Sequence, residues 1–275
     1  MSTEARNPRS YNLDQLSAVE IVRLMNEEER VIFDALDKAS EAIAIAAERV
    51  AGAFQSGGRT IIMGSGTSGR IAMMDAAEMP PTFGVEPDRF IALISGGNAA
   101  HGQAIEDAED DEYAAITMLN DLQPDRNDVV IGLTASGRTP FAVAGVRHAR
   151  QKGLWTCGIA NSPMSLLLEV AEHPILLATG PEVLTGSTRL KAGTAQKLAL
   201  NRISTAAMVL SGKVIENLMV DVKAKNQKLK ERCARIVRDL STVTYDEAWQ
   251  LLEANEWSVR RVLRILGRTE VSAAT

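Results

Sequence analysis

Three glycine- and hydroxyl-rich stretches carry the chemistry most readable in this chain. They are Gly64-Ser65-Gly66-Thr67-Ser68-Gly69-Arg70, Ser95-Gly96-Gly97-Asn98 and Thr134-Ala135-Ser136-Gly137-Arg138-Thr139-Pro140. Glycine lets backbone N–H groups approach an anion closely, and Ser or Thr hydroxyls add neutral hydrogen bonds. A helix that follows such a turn favours negative charge at its N-terminus. Pro140 suits the first turn of a helix, where its missing N–H costs nothing. Any one stretch reads equally well as an ordinary connection with a helix-capping serine. Three at one sheet edge point to a single phosphate on a small sugar.

On that reading Ser65, Thr67, Ser68, Ser136 and Thr139 are candidate phosphate and sugar ligands, with Arg138 beside them. Glu182, Ser187, Arg189 and Lys191 form a further polar set before or at the start of a long helical pattern. Nucleotide readings fail on spacing. Residues 64–69 satisfy G-x-G-x-x-G, but no acidic residue closes a second strand about 20 residues on, since the next apolar run ends at Ser95. No G-x-x-x-x-G-K-[S/T] run occurs, so a Walker-type NTPase is unsupported.

The elements that must position these turns follow from periodicity. Short apolar runs at 60–63, 90–94, 129–133, 154–159 and 175–177 are bounded by turn-forming residues. Helical patterns at 68–78, 100–120, 139–152 and 163–171 separate them. Alternating apolar strands and helices imply a parallel sheet covered on both faces, with ligands at the carboxyl ends of its strands. The fold class is α/β. Ahead of the sheet, a helix is expected from about Asn12, then a second from Asn26 with Asn26 and Glu29 as a capping box. Ile32, Leu36, Ala39, Ile43, Ala47, Val50 and Phe54 make one apolar stripe along it. The two prolines of Met79-Pro80-Pro81 should stiffen the backbone after Glu78 and stop that helix. Beyond Gly180, long helices are expected over 187–212 and 214–232, then three short helices to Gly267. The domain reading is a helical arm over 1–45, a phosphosugar-binding domain over 46–231 and a small helical tail over 232–275.

Composition narrows the classes. A chain of 275 residues, 45% hydrophobic, can bury a large core. Its net charge of −5 offers no general attraction to nucleic acid, and no basic cluster overrides it. Cys157 and Cys233 do not make a disulfide scaffold, and His101, His148 and His173 lack metal-ligand spacing. No metal and no cofactor is expected. No signal-peptide core and no apolar run of bilayer-spanning length is present, so a cytoplasmic setting without membrane contact is expected.

The paired turns at 65–68 and 136–139 resemble the sugar isomerase (SIS) fold. Finer motifs resemble the N-acetylmuramic acid 6-phosphate etherase family within it. They are Arg6-Asn7-Pro8 with Asn12-Leu13-Asp14, Gly66-Thr67-Ser68-Gly69-Arg70, and Asp75-Ala76-Ala77-Glu78-Met79-Pro80-Pro81-Thr82. Glu106-Asp107-Ala108-Glu109-Asp110, Ala135-Ser136-Gly137-Arg138-Thr139-Pro140, the run from Leu184 through Ser187-Thr188-Arg189-Leu190-Lys191 to Lys197, and Asn217-Leu218-Met219-Val220-Asp221-Val222 complete the set. The match runs in order along nearly the whole chain. The resemblance implies cleavage of a lactyl ether on a phosphorylated amino sugar by elimination and water addition. Glu78 and Glu109 match the family's two catalytic glutamates, Glu78 as the acid/base on lactate and water, Glu109 as the base at C2. It also implies that Ser95 and Asn98 face the sugar, and a homodimer whose sites are completed by the second subunit. The chain departs from the family pattern at Ala77, Met79 and Asn98. A sugar-phosphate isomerase, with His101 available for ring opening, and a non-catalytic phosphosugar sensor are the competing readings. The C-terminal helices resemble a ubiquitin-associated bundle and read as a structural or dimer element.

Overall fold

The computed structural model describes residues 3–103 and 105–268. Two 3-10 turns, Pro8–Ser10 and Leu13–Gln15, lead into helices α1 (Ala18–Glu29), α2 (Val31–Lys38) and α3 (Ser40–Gln55). Then come β1 (Thr60–Gly64), α4 (Gly66–Phe83), β2 (Phe90–Ile94), 3-10 turns Gly97–His101 and Glu106–Asp110, and α5 (Glu112–Asp121). The core continues with β3 (Val129–Thr134), α6 (Pro140–Gln151), β4 (Trp155–Ala160), α7 (Leu166–Val170), β5 (His173–Leu176) and α8 (Lys191–Leu210). A short hairpin, β6 (Val214–Ile215) and β7 (Leu218–Met219), precedes α9 (Gln227–Asp239), α10 (Tyr245–Ala254) and α11 (Val259–Ile265).

The five long strands form one parallel sheet in the order β2-β1-β3-β4-β5. Side chains alternate across it. Ile62, Ile131 and Ile159 join a core with α2, α3, α4 and α8, while Ile61, Met63 and Val130 join another with α5, α6 and α7. Both faces are buried, as the unbroken apolar runs require. The chain leaves β1 toward β2 and then crosses back to β3, so strand order reverses at β1 and β3. A crevice outside their carboxyl ends is where a ligand fits an open α/β sheet. The α/β expectation is borne out.

Several element expectations need correction. The first helix starts at Ala18, because Ser17 and Glu20 make the capping box; the Ser17 amide donates to Glu20 Oε2 at 2.8 Å. Asn26 and Glu29 lie inside that helix. The apolar stripe is buried at Ile32, Leu36, Ala39, Ile43, Ala47 and Val50, but the backbone breaks at Ala39 into α2 and α3. The helix expected over 100–120 begins only at Glu112, where the Asp111 side chain caps it by accepting from the Ala114 amide at 2.8 Å. The segment expected as a helix over 214–232 is the β6–β7 hairpin and an extended stretch up to Asn226, which caps α9. Val220 and Val222 there bury into the apolar centre that α9, α10 and α11 share. Finally, α4 does not stop at its prolines. It carries Pro80 and Pro81 to Phe83, and Gly84 ends it in a left-handed conformation (φ 66°) with its amide on Pro80 O at 3.0 Å.

Candidate active site at the carboxyl edge of the sheet

Two of the hydroxyl-rich turns flank the crevice. Ser65 sits extended between β1 and α4, and its hydroxyl is buried with no hydrogen-bond partner among the described residues. A buried hydroxyl left open at a helix N-terminus is costly unless a ligand satisfies it. Gly66 begins α4 with φ 52°, a conformation that favours glycine. On the β3 side, Thr134 Oγ1 lies 2.8 Å from Thr139 Oγ1 and 3.4 Å from Ser136 Oγ, and Ser136 Oγ accepts from the Arg138 amide at 3.2 Å. Gly137 makes this turn possible. Its φ is 73°, and a Cβ there would lie 1.9 Å from Ser165 Oγ. Thr67 sits against Gly193 at the start of α8, where an added Cβ would meet its Cγ2 at 3.3 Å.

Ser68 faces inward instead. Its hydroxyl donates to Gln196 Oε1 at 2.8 Å, Gln196 Nε2 donates to Asn161 Oδ1 at 3.0 Å, and Asn161 Nδ2 donates to Leu177 O at 3.0 Å. This buried chain ties α4, α8 and the ends of β4 and β5 into one frame, and satisfied buried networks of this kind rigidify what they join.

The 182–191 set is also committed to the protein. The buried Glu182 carboxylate accepts from the Ala192 amide at 2.9 Å and the Lys191 amide at 3.3 Å, closing the N-terminus of α8. Burial pushes its pKa up, against the opposing pull of those two amides. The Lys191 ammonium is paired with Glu28 on α1 at 2.7 Å. Glu28 also accepts from Asn7 Nδ2 at 2.6 Å and Arg9 at 3.0 Å. Burial would raise its pKa, but these donors outweigh that and hold it below the usual carboxylate range. The N-terminal segment thereby closes over the start of α8, with Asn7 Nδ2 reaching Pro181 O at 3.3 Å. Ser187 is half-buried and Arg189 exposed between them.

The two glutamates occupy different settings. Glu109 is exposed on the 3-10 turn Glu106–Asp110. That turn folds back on the β2 end: a Cβ on Gly96 would meet Ile105 at 3.1 Å and Ala108 at 3.4 Å. Arg70 of α4 ties the same segment down by donating to Gln103 O at 2.8 Å. The turn that bears Glu109 therefore packs beside the end of β2, next to the buried Ser95. Glu78 is exposed on α4, twelve residues beyond Gly66. At about 1.5 Å per residue that is roughly 18 Å away from the crevice. The side chains of Asn98 and His101 lie outside the described residues. Among the described residues no cluster of His, Cys, Asp or Glu could hold a metal, and no helix is long and apolar enough to cross a membrane.

Relatives decide what this edge belongs to. The model of the glucokinase regulatory protein N-terminal SIS domain matches residues 42–149, and the SIS domain model matches residues 107–205. The N-acetylmuramic acid 6-phosphate etherase of Histophilus somni (strain 129Pt) is 45% identical over 96% of this chain and 88% of its own length. That of Geobacillus thermodenitrificans (strain NG80-2) is 46% identical over 98% of this chain and 91% of its own. The chain belongs to the N-acetylmuramic acid 6-phosphate etherase family. It is an enzyme that cleaves an ether bond, and the isomerase and sensor readings are not favoured. A phosphoheptose isomerase from Francisella tularensis shares the fold with this etherase, at 18% identity, a TM-score of 0.52, and coverage of 71% of this chain and 98% of that one.

Sequence reasoning gave no role to Glu28, Asp75, Asn161 or Gln196 of this etherase. Gln196 carried a usable signal, as a polar residue on the apolar face of an Ala/Leu-rich helix. Asn161 and Glu28 carried none, because their partners are distant along the chain.

Proposed function

We propose that this enzyme is a lyase that converts N-acetylmuramic acid 6-phosphate to N-acetylglucosamine 6-phosphate and D-lactate in the cytoplasm. The carrying observation is the buried, open Ser65 hydroxyl at the end of β1, the strand beside the β3 that leads into a second hydroxyl-rich turn, in a chain of the etherase family. The phosphate sits on the Ser65–Thr67 turn and the Ser136–Thr139 turn, beside Arg138, where amides and hydroxyls supply the donors. Ser95 and Asn98 face the sugar. Ser68, Glu182 and Lys191 act behind this layer through Gln196, the α8 amides and Glu28, and Ser187 lines the same side.

The open-chain aldehyde makes the C2 proton acidic. Glu109 removes it, the C2–H electrons form the C2=C3 double bond, and the C3–O bond breaks. Glu78 gives a proton to the departing lactate oxygen. Its carboxylate then takes a proton from water as that oxygen adds to C3, and Glu109 returns the proton to C2. Each carboxyl ends as it began.

A distance of roughly 18 Å along α4 exceeds what one hexose phosphate bridges. We therefore place Glu78 of one protomer in the crevice of a second, in a homodimer that completes each site. The helical tail serves this assembly as a structural element. Incubation with N-acetylmuramic acid 6-phosphate and assay of lactate tests the assignment. Lactate and N-acetylglucosamine 6-phosphate should appear in equal amounts; no lactate from the unmutated protein would overturn it.

A further inference from the structure

Asp75 lies one helical turn before Glu78 on α4 and has no part in the chemistry above. It is 5% exposed. Its Oδ1 accepts from Asn201 Nδ2 at 2.7 Å and from Ser204 Oγ at 3.2 Å, both on α8. Its Oδ2 is buried with no hydrogen-bond partner among the described residues. Burial pushes its pKa up, against the pull of those two donors and of Lys197. Either protonation state leaves a polar atom unsatisfied, and Asp is also a poor residue for a helix interior. An apolar residue would pack there at lower cost. Stability alone does not account for this carboxyl.

The local backbone supplies the reason for an anchor. Pro80 and Pro81 have no N–H, so the carbonyls of Ala76 and Ala77 lose their helical donors. The turn that presents Glu78 therefore lacks two of its ladder bonds. Residues three apart on a helix are adjacent, about 5–6 Å between Cβ atoms. Asp75 points into α8 while Glu78 faces out.

We propose that Asp75, through Asn201 and Ser204, fixes the proline-interrupted turn of α4 against α8 and is the positioning residue for Glu78. The inference rests on Glu78 being the acid/base. Asp75→Ala should lower kcat about 10- to 100-fold, the effect of a misplacement near 1 Å, with KM changed less than about threefold. Asp75→Asn keeps the acceptor and should restore kcat to within about threefold of the unmutated enzyme. Amide exchange over residues 74–83 should quicken in Asp75→Ala and not in Asp75→Asn. If Asp75→Ala fails to fold, the Asn201→Ala/Ser204→Ala pair removes the same contacts from the other side and should show the same kcat loss and faster exchange. A folded Asp75→Ala enzyme with unchanged kcat, a loss confined to KM, or an Asp75→Asn enzyme as impaired as Asp75→Ala would overturn the inference. Glu78→Gln run in parallel separates the two ideas: its full activity would remove the reading beneath, whereas its inactivity beside a fully active Asp75→Ala would remove only the anchor.

Discussion

The two ends of α4 are built for different tasks. Its N-terminus is held by the Ser68–Gln196–Asn161 chain and lies next to a hydroxyl cluster whose geometry is already closed. Its C-terminal half carries two prolines, an exposed Glu78 and the buried Asp75, tied to Asn201 and Ser204 of α8. On the proposed reading, binding belongs to a preformed edge of the sheet, while the proposed acid/base group sits on an exposed helix turn. Preorganised donors suit a phosphate that does not change during reaction. A carboxyl proposed to meet a sugar held by a second protomer needs exposure instead.

That contrast can be broken in order of size. Glu78→Gln should lower kcat by about 10³-fold, inside the usual range for general acid–base catalysis, with little change in KM. A comparable rise in KM with kcat retained would move Glu78 from chemistry to binding. At the other end, Gly137→Ala forces φ 73° on an alanine and drives its Cβ onto Ser165. It should cost about 3 kcal/mol in urea unfolding, read together with weaker protection by inorganic phosphate. Glu28→Gln breaks the pair with Lys191, whose side chain is 4% exposed, and should cost about 3 kcal/mol at pH 7. Glu28's pKa is depressed in the folded protein, so its contribution is complete above its unfolded value near 4.3 and disappears as pH falls through the lower folded value. The stability gap between the two proteins should close in acid. The smallest effect is expected for Ser65→Ala, a loss of about 1 kcal/mol or roughly fivefold in KM, without a fall in kcat.

The same contrast explains what was legible in the sequence. The five strands could be read because each is a short apolar run between turn residues, and both faces of the sheet are covered. The turns at Ser65 and Ser136 could be read because glycine and hydroxyl residues have few other reasons to follow strands together. The stripe from Ile32 to Val50 marked the buried face correctly, yet said nothing of the break at Ala39. Periodicity reports which side faces the core, not whether the backbone is continuous. The prolines after Glu78 misled in the opposite direction, since a helix supported by buried Met79 and Phe83 tolerates two lost bonds. Glu182 and Lys191 stood out by their place in a polar run. Their partners did not, because Lys191 and Glu28 are 163 residues apart and meet only in the fold.

The division of the site between two protomers is tested most directly by mixing two disabled enzymes. One carries Glu78→Gln and an intact crevice; the other carries Ser65→Ala, Ser136→Ala and Thr139→Ala with Glu78 intact. At substrate concentrations well below KM, each alone should release almost no lactate. After mixing and subunit exchange, the account predicts that lactate release returns, because hybrid dimers hold one complete site. Sites complete within single protomers would leave the mixture as inactive as its components, and that result would contradict the account.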